Sequence, residues 1–401
     1  MKKKIKTILI SLLIISIILL SNHLYNNYKL KHAKIKVELI DNLNIEVYSD
    51  IKIKDLIKNI NGKLLKNKII NTKKLGRKEI TFKYINEENI KVNYNFIINI
   101  VDKTKPLING PSNITLYQNS TQDINKRFFC GDNYDDKPIC EIKGQYDKSK
   151  IGTYNLTYIA KDNSKNENKL DFILNITEKN DNDTREKNEE KTYTYYEDIV
   201  NNYKTKNTKI GIDVSKWQGD IDFKKIKEDK VEFAFIRVGL QTDINGEYYL
   251  DSKFKQNIKG FNKEKIPVGV YFYTKCTSDK EAKQQAKWII KQIKKYKIHL
   301  PIVFDWENWD NYREYNLSFY HLSQMYRSFK EEINKKGYES MLYSSKNYLE
   351  KVWYTKNENI WLAHYIEKTN YKGKYKVWQI CDDGIIKGIE GKQVDIDIMY
   401  D

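Results

Sequence analysis

The sequence has few of the residues from which metal sites are built. It contains 5 histidines and 4 cysteines among 401 residues. His364 follows an apolar run, but no second histidine or cysteine stands at a spacing typical of a metal site. We therefore expect neither a metal nor any other cofactor.

Clusters of basic residues are also missing beyond the N-terminus. The balance of 71 Lys+Arg against 54 Asp+Glu gives a net charge of +17, which suits anionic partners such as nucleic acid, acidic lipid or anionic cell-wall polymer. Because these residues are scattered, nucleic acid is not expected as a partner. Hydrophobic residues at 40% and aromatic residues at 13% exclude a disordered chain, and the length allows two or three domains.

A long apolar run occurs at the N-terminus. A basic stretch with Lys2, Lys3, Lys4 and Lys6 precedes residues 7–21, which are almost wholly apolar and lead to no small-x-small cleavage pattern. The pattern predicts a signal anchor or transmembrane segment over residues 1–28, with residues 5–21 in the cytoplasmic membrane and the remainder outside. A cleaved signal peptide and a secreted protein are the alternative, since the run is at the short end of the roughly 17–25 residues that span a bilayer.

Four cysteines in an exported chain can form disulfides. Cys130 and Cys140 bracket a short polar loop and could staple it, with free thiols as the alternative. Cys276 and Cys381 each follow an apolar run and need not meet.

Residues 29–178 contain an internal repeat. Leu75-Gly76 and the run from Phe96 to Ile100 recur as Ile151-Gly152 and the run from Phe172 to Ile176, each 76 positions later. Alternating runs divided by Asn-rich and Asp-rich turns predict two all-β sandwich modules, at residues 29–105 and 106–178. The junction Val101-Asp102-Lys103-Thr104-Lys105-Pro106 resembles that of bacterial immunoglobulin-like surface modules, which implies spacers or weak wall binders. Neither copy contains a catalytic cluster.

Residues 179–208 are rich in charged and polar side chains, which predicts a solvated linker that provides reach, or else a charged helix.

Residues 209–401 alternate strand-like runs with amphipathic stretches. Eight such runs, with long crossovers early and short ones late, predict an α/β domain with a barrel of the (β/α) type. In such barrels the chemistry lies at the carboxyl ends of the strands. Five acidic residues fall at or near strand ends: Asp213, Asp305, Glu307, Asp395 and Asp397.

The run from Leu300 to Glu307 passes from four apolar residues into two carboxylates. Because side chains alternate along a strand, Asp305 and Glu307 should share one side, with Trp306 on the other side in the core. Their Cβ atoms would lie roughly 6–7 Å apart. Two like charges at the rim of an apolar strand disfavour joint ionisation, so one carboxyl should act as an acid beside a base.

The motifs of this region resemble those of glycoside hydrolase family 25 lysozymes across essentially all of residues 209–401. They are, in order, 211–219 (Gly-Ile-Asp-Val-Ser-Lys-Trp-Gln-Gly), 235–239 (Phe-Ile-Arg-Val-Gly), 304–307 (Phe-Asp-Trp-Glu), 361–365 (Trp-Leu-Ala-His-Tyr), 377–379 (Val-Trp-Gln) and 394–397 (Val-Asp-Ile-Asp).

The resemblance implies an irregular (β/α)5β3 barrel and a β-1,4-N-acetylmuramidase that cuts peptidoglycan between N-acetylmuramic acid and N-acetylglucosamine. It implies Glu307 as general acid, Asp305 as its carboxylate partner, and Asp213 and Asp395 as flanking acids of the groove. Two departures concern substrate contacts. Tyr271-Phe272-Tyr273 stands where many members have Tyr-His-Phe, and Val394-Asp395-Ile396-Asp397 stands where Val-Asp-Leu-Asn is common near the end.

The pair of carboxyl groups leaves three mechanisms open. Asp305 could attack the sugar, a bound water could attack, or the 2-acetamido group of the substrate could act as internal nucleophile with Asp305 orienting it; retention by the last route is favoured. Asp213 could instead cap the Ser215-Lys216 turn. Asp397 is expected to support Asp395, and Arg237 to pair with one of these carboxylates or to form a plain salt bridge.

Aromatic residues at strand ends are candidates for stacking on sugar rings, with about half expected in the groove and the others in the barrel or its helical shell. The predicted substrate-binding residues are Arg237, Tyr271, Tyr273, Tyr343, Trp361, Tyr365, Trp378 and Asp397. The alternative to an enzyme is a catalytically silent, membrane-anchored peptidoglycan-binding or adhesion protein. An anchor with two spacers favours remodelling of the cell's own wall.

Overall fold

The structure is a computed structural model that describes residues 2–179, 193–244 and 246–401. The chain divides into two units, Met1–Lys103 and Thr104–Asp401. Most of the charged core of the predicted linker, residues 180–192, lies outside the described residues.

The predicted N-terminal anchor forms a helix, α1 (Lys2–Lys31). None of the helices in the described part of the chain combines the length and the apolar character that a membrane span needs. The prediction of a transmembrane helix therefore lacks support from the structure.

The remainder of the first unit is all-β, as predicted. Its four-stranded sheet has the order β2-β6-β5-β4, and β1 pairs separately with β3. The strands are β1 (Val37–Leu39), β2 (Asn44–Glu46), β3 (Ile57–Ile60), β4 (Gly62–Leu64), β5 (Gly76–Asn86) and β6 (Lys91–Val101), with a 3₁₀ turn at Ile53–Leu56.

The second β module repeats this arrangement within the second unit. Its four-stranded sheet has the order β10-β11-β12-β8, and β7 pairs with β9. The strands are β7 (Leu107–Asn109), β8 (Asn113–Tyr117), β9 (Phe129–Gly131), β10 (Ile139–Lys143), β11 (Gly152–Lys161) and β12 (Glu167–Thr177), with a 3₁₀ turn at Ile124–Arg127.

The repeat found in the sequence is confirmed by the pairing of the long hairpins. In the first module Gly76 pairs with Ile100, and in the second Gly152 pairs with Ile176. In both modules the second hairpin strand also pairs in parallel with a short strand, β2 or β8. Each copy therefore folds the same sequence pattern into the same sheet.

The C-terminal region forms a closed barrel. Its elements are β13 (Thr194–Tyr195), α2 (Tyr196–Tyr203), β14 (Thr208–Val214), α3 (Phe223–Glu228), β15 (Phe233–Gln241), β16 (Tyr248–Leu250), α4 (Phe254–Lys263), β17 (Val268–Tyr273), α5 (Asp279–Ile293), β18 (Ile302–Asp305), α6 (Phe319–Asn334), β19 (Ser340–Ser345), α7 (Lys346–Lys351), β20 (Ile360–Ala363), β21 (Val377–Ile385) and β22 (Val394–Tyr400).

The barrel order is β14-β15-β17-β18-β19-β20-β21-β22, and β22 pairs antiparallel with both β21 and β14 to close it. A helix follows each of the first five barrel strands, whereas no helix follows the last three. The predicted (β/α)5β3 arrangement is therefore present.

Alternation along each strand decides which side chains enter the barrel. On β18, Ile302 and Phe304 belong to the outer core that contacts the helices, whereas Val303 belongs to the inner core. The same parity recurs on the neighbouring strands, so the inner cluster holds Phe233, Phe235, Val303, Met341, Tyr343, Trp361, Ala363 and Val377. The predicted catalytic aspartates, Asp213, Asp305 and Asp395, stand at the inward-facing positions of their strands.

The barrel domain begins earlier than predicted. Strand β13 pairs with β21, and helix α2 buries Tyr196 and Ile199, although both elements lie inside the predicted linker at 179–208. The Tyr196 hydroxyl donates to the Ile210 carbonyl at 3.0 Å. The apolar face of this short helix explains the difference, because the charged residues before it dominated the composition of the segment.

Candidate active site

Asp305 and Glu307 lie at the carboxyl end of β18, as predicted. Asp305 is the last residue of the strand and only 4% exposed, whereas Glu307 is exposed at the surface. A hydrogen bond joins the two carboxyl groups; it raises the pKa of Asp305 and lowers that of Glu307. The proton of the pair therefore resides on Asp305 in the free protein.

Desolvation is the main cause that raises the pKa of both groups. Asp305 is affected most, well above its ordinary value, because it is buried and faces the charges of Glu307 and Asp213. Protein atoms crowd around Glu307 although its surface is open to solvent, so its pKa is also raised. A glutamate with a raised pKa at an open surface is suited to donate a proton.

Asp213 and Asp395 form a second carboxyl pair across the closing seam of the barrel. They stand opposite each other where β14 pairs with β22. Desolvation raises the pKa of Asp213 to about 6, and desolvation with the Asp213 charge raises that of Asp395 to about 10. The hydrogen bond between them lowers the pKa of Asp213, so at neutral pH Asp213 is the ionised member.

Asp213 does not cap the following turn. That role belongs to Ser215, whose hydroxyl accepts from the Trp217 backbone N–H at 3.2 Å. The alternative of Asp213 as a cap is therefore wrong.

Asp397 is wholly buried beneath this pair. Its Oδ1 accepts from the Trp361 indole N–H at 2.8 Å, and desolvation raises its pKa well above the ordinary value. The charge of Asp213 adds to the rise in the pKa of Asp397, and the charge of Asp397 adds to the rise in the pKa of Asp395. Asp397 thus lies behind the pair, as expected, and is buried too deeply to contact a substrate.

Gln379 connects Asp213 to two tyrosines, a role that was not predicted from the sequence. Its side-chain oxygen accepts from the hydroxyls of Tyr343 at 2.8 Å and Tyr365 at 2.9 Å, and its amide donates to Asp213 Oδ2 at 2.8 Å. The residue is 3% exposed. The available signal was a lone amide in the otherwise apolar run from Val377 to Cys381.

Arg237 forms a salt bridge with Asp251 and not with a predicted catalytic carboxylate. Its Nε donates to Asp251 Oδ2 at 2.8 Å. Asp251 also accepts from the backbone of Lys216 and Lys253. Arg237 still lies near enough to lower the pKa of Asp305 slightly against desolvation. The plain salt bridge is therefore the correct alternative.

The predicted sugar-stacking aromatics divide by how far each ring is buried. Tyr271 and Tyr273 are half-buried and Tyr365 is 51% exposed, so these three can line a groove. The hydroxyl of Tyr271 hydrogen-bonds to Asp213, and Tyr273 stands beside Asp305 in the pairing of β17 with β18. Tyr343, at 9% exposure, contributes its hydroxyl to Gln379 rather than an open face.

Two tryptophans cannot stack on a substrate. Trp361 is 2% exposed and stacks on Phe235 inside the barrel. Trp378 is 3% exposed and faces the outer shell, where its indole donates to the His364 carbonyl at 2.8 Å. Their assignment as substrate-binding residues is corrected, since Trp361 fills the barrel interior and Trp378 its outer shell, as about half of the aromatic set was expected to do.

Trp217 is an aromatic residue that the site prediction missed. It lies in the turn after β14 and is 66% exposed. The exposed ring stands just beyond the strand that carries Asp213, and its position in the 211–219 motif was the available signal.

The segment after Glu307 is held by aromatic packing. Trp306 is fully buried, as predicted, and its indole donates to the Cys276 carbonyl at 3.3 Å. The Trp309 backbone N–H donates to the Glu307 carbonyl at 2.7 Å, and the Trp309 ring stacks on Tyr348 with centroids 3.7 Å apart. Residues 306–317 (the 306–317 loop) connect β18 to α6 and include a 3₁₀ segment at Trp309–Tyr315.

The predicted disulfide is present: Cys130 and Cys140 are bonded, whereas Cys276 and Cys381 are free and buried.

Comparison with known proteins finds a family match within the barrel domain. Residues 212–389 match the family model of Glycosyl hydrolases family 25. The matched segment begins one residue before Asp213 and covers Asp305 and Glu307.

Two curated relatives were found. The "Autolytic lysozyme" of Clostridium acetobutylicum is 26% identical over 189 residues, which cover 45% of this chain and 53% of the relative. The "Uncharacterized protein YegX" of Escherichia coli is 25% identical over 191 residues and is covered to 66%. The chain thus spans about half to two thirds of the length of the curated relatives it matches.

Solved structures resemble the chain in part. The modular autolysin LytC from Streptococcus pneumoniae, solved in complex with a synthetic peptidoglycan ligand, is 26% identical with a TM-score of 0.42, over 61% of this chain and 56% of LytC. A family 25 glycosyl hydrolase from Bacillus anthracis is 24% identical with a TM-score of 0.43, over 50% of this chain and 92% of that one.

Proposed function

We propose that this chain is a peptidoglycan hydrolase whose C-terminal barrel is a family 25 glycoside hydrolase domain. The observation that carries the proposal is the pair of a buried Asp305 and an exposed Glu307, hydrogen-bonded at the carboxyl end of β18 in a (β/α)5β3 barrel that matches the family model. The reaction we propose is that of a lysozyme, hydrolysis of the β-1,4 bond between N-acetylmuramic acid and N-acetylglucosamine.

Glu307 acts as the general acid in this proposal. Its carboxyl group is open to the groove, and its raised pKa favours the protonated form at higher pH than for an ordinary glutamate. Donation of its proton to the glycosidic oxygen lets the leaving sugar depart as an alcohol, while positive charge develops at the anomeric carbon.

Asp305 orients the substrate and does not attack it. The side chain is only 4% exposed, which leaves little room for a covalent bond to an anomeric carbon, whereas its Oδ1 atom has no hydrogen-bond partner and is available as an acceptor. An ionised Asp305 at the groove floor can accept a hydrogen bond from the N–H of a 2-acetamido group. The carbonyl oxygen of that group then attacks the anomeric carbon, and water later opens the resulting ring with net retention.

The proton of the free pair must move for this chemistry. It resides on Asp305 before the reaction, whereas the acid step needs it on Glu307. An N–H donor from the substrate at Asp305 favours its ionised form, so binding shifts the proton towards Glu307 along the existing hydrogen bond.

The second carboxyl pair supplies negative charge near the reacting sugar. Asp213 is the ionised member, and hydrogen bonds from Gln379 and Tyr271 hold its position. A carboxylate near the developing oxocarbenium charge stabilises the transition state more than the neutral substrate. Asp395 acts with it, Asp397 supports both from behind, and Tyr271, Tyr273 and Tyr365 provide the groove surface.

The N-terminal modules and the location complete the proposal. The two β modules, which we propose are immunoglobulin-like, connect the N-terminal helix to the barrel. The Cys130–Cys140 disulfide supports a location outside the cytoplasm, where such bonds persist. We propose that the enzyme works at the cell wall, in remodelling of the cell's own peptidoglycan, whether attached to the membrane or released by cleavage of a signal peptide.

The substitution Glu307→Gln tests the assignment of the acid. It keeps the shape of the side chain but removes the proton, so clearing of a cell-wall suspension should fall by a factor of about 10² to 10⁴. Glu314→Gln is the matched control, since Glu314 is also exposed and lies in the same loop. A Glu307→Gln variant that clears walls at the parent rate would show that Glu307 is not the acid.

The products test the bond that is cut. Mass spectrometry of digested muropeptides should find the new reducing end on N-acetylmuramic acid. If the parent protein binds walls without releasing any reducing end, it is a silent peptidoglycan-binding or adhesion protein, and the proposal fails.

A further inference from the structure

The second β module, residues 104–179, shares its packing with the barrel. Phe129 of β9 is 8% exposed and belongs to the core of the barrel domain, whereas the neighbouring Phe128 belongs to the core of the module. We propose that Phe129 is a positioning residue for catalysis, which holds the 306–317 loop and through it Glu307. The proposal rests on the hydrolase function proposed above.

Four aromatic rings surround Phe129, and all belong to the barrel domain. The ring centroids lie 5.1 Å from Tyr312, 5.4 Å from Tyr348, 6.1 Å from Phe319 and 6.2 Å from Trp309. Two of these rings, Trp309 and Tyr312, lie in the 306–317 loop. The module therefore contributes a side chain to the support of the loop that directly follows the catalytic strand.

Polar contacts fix the module beside this ring. Backbone N–H groups of Phe319 and Ser318 donate to the Asp132 carbonyl and to Asp136 Oδ1, both at 2.8 Å. His321 Nδ1 lies 2.7 Å from the same carboxylate oxygen. These contacts are at the start of helix α6, so the module holds the end of the 306–317 loop as well as its middle.

Arg313 adds a contact in which the loop supplies the side chain and the module the acceptors. It extends from the 306–317 loop to the module, where it donates to the Tyr158 hydroxyl at 3.4 Å and to the Cys140 carbonyl at 3.3 Å. Cys140 is disulfide-bonded to Cys130, the residue after Phe129. The disulfide thus joins the two chain segments of the module that contact the loop.

The path from Phe129 to the acid is short. Phe129 packs against Trp309, and the Trp309 backbone N–H is hydrogen-bonded to the Glu307 carbonyl. Trp309 also contacts the ring of Trp306 at 4.8 Å, on the other side of Glu307 in sequence. Trp306 and Trp309, which lie on either side of Glu307 in the sequence, thus belong to the cluster that Phe129 completes.

The 306–317 loop has little regular structure to hold it otherwise. Strand β18 ends at Asp305, the 3₁₀ segment is interrupted at Asn311, and Asn316 has a left-handed backbone with φ of 50°. A loop held mainly by packing loses its fixed conformation when a central ring is removed. Catalysis is sensitive to such losses, because a misplacement of about 1 Å can cost about 10²-fold in rate.

The experiment uses the full chain and soluble muropeptide oligomers, with new reducing ends counted. Phe129→Ala removes the ring, and Gly131→Ala tests the same contact independently. A Cβ on Gly131 would lie 2.6 Å from the Phe319 ring and 2.8 Å from the Tyr312 ring, so it would push the module away from the loop. Both variants should lower kcat by about 10-fold or more with KM little changed.

The pH profile separates positioning from stability. A loosened loop moves protein atoms away from Glu307 and reverses part of the desolvation, so the basic limb of the kcat profile should move to lower pH in Phe129→Ala. Phe129→Leu should restore most of the parent kcat because it refills the site. Ile139→Ala is the matched control, since Ile139 lies in the same module at 60% exposure and should leave kcat unchanged.

The outcomes are distinct. If the parent chain has no hydrolase activity, the proposed function is wrong. That result is distinct from a failure of the inference about Phe129. An active parent together with Phe129→Ala and Gly131→Ala variants that are folded at the assay temperature and keep the parent kcat and pH profile overturns the inference. If Phe129→Ala fails to fold, Gly131→Ala decides by the same criteria.

Discussion

Substitution of Gln379 by leucine tests how the barrel keeps Asp213 ionised. The change removes the amide that donates to Asp213 and the oxygen that accepts from Tyr343 and Tyr365. Leucine has a similar volume, so the loss is mainly of hydrogen bonds. Tyr365 is 51% exposed and can turn to water, whereas Asp213 at 4% and Tyr343 at 9% exposure cannot.

The cost follows from these two buried groups. A buried neutral group without a partner costs about 1–3 kcal/mol, and more if it is charged. We therefore expect Gln379→Leu to lower the free energy of unfolding by about 3–5 kcal/mol at pH 7.5, where Asp213 is ionised. At pH 4.5 Asp213 is protonated, and the loss should shrink by about 1–2 kcal/mol.

The pKa of Asp213 determines whether the barrel gains or loses stability as the pH rises. Burial raises it from an ordinary value of 3.8 to about 6. Protonated Asp213 thus contributes stability that is fully present below about pH 3.8 and is lost as the pH rises through about 6. The hydrogen bond from Gln379 opposes this shift, so its removal raises the pKa further and deepens the loss at neutral pH.

Tryptophan fluorescence during urea unfolding reports on the barrel, because all 7 tryptophans lie between residues 217 and 378. Gln379→Glu is the matched variant. Protonated glutamic acid can still donate to Asp213, so this variant should be near the parent at pH 4.5 and much less stable at pH 7.5, where two carboxylates would face each other. If both variants lose the same free energy at the two pH values, the proposed charge state of Asp213 is wrong.

Further predictions concern separate contacts. Trp361→Phe removes the indole donor to Asp397 and should lower the free energy of unfolding by about 1–3 kcal/mol in the same fluorescence assay, with Trp378→Phe as the comparison. Cys140→Ser opens a disulfide whose cysteines are 10 residues apart and should cost the second module about 3 kcal/mol, seen by calorimetry; an unchanged transition would contradict this. The kcat of the parent should fall as the pH rises through the pKa of Glu307, with the midpoint above its ordinary value of 4.5.

The sequence predicted the barrel because its signal is strong and local. Branched and aromatic runs separated by amphipathic stretches mark the strands, and alternation along a strand then puts Asp305 and Glu307 on one side and Trp306 on the other. The internal repeat was equally plain, since two copies of one pattern must form the same sheet.

Other features depend on contacts that no local pattern contains. Trp361 and Trp378 are both at strand ends, and only the closed barrel decides that one fills its interior and the other its shell. Arg237 could have paired with any nearby carboxylate, and the pairing of β15 with β16 brings Asp251 to it. Phe129 looked like part of an apolar strand in a spacer module, and its partners lie about 180 residues further along the chain, at Trp309 and Tyr312.

The protonation states of four buried aspartates link the stability of the barrel to the proposed chemistry. Asp213, Asp305, Asp395 and Asp397 face the same interior, and desolvation raises the pKa of each. Asp213, with a pKa of about 6, is the member that ionises at neutral pH, while the others hold their protons. A substrate that donates hydrogen bonds and develops positive charge relieves the cost of ionisation, so the arrangement favours the transition state over the empty groove. The same reasoning explains why the interior carries its charge near Gln379 and Tyr271, where donors are already in place.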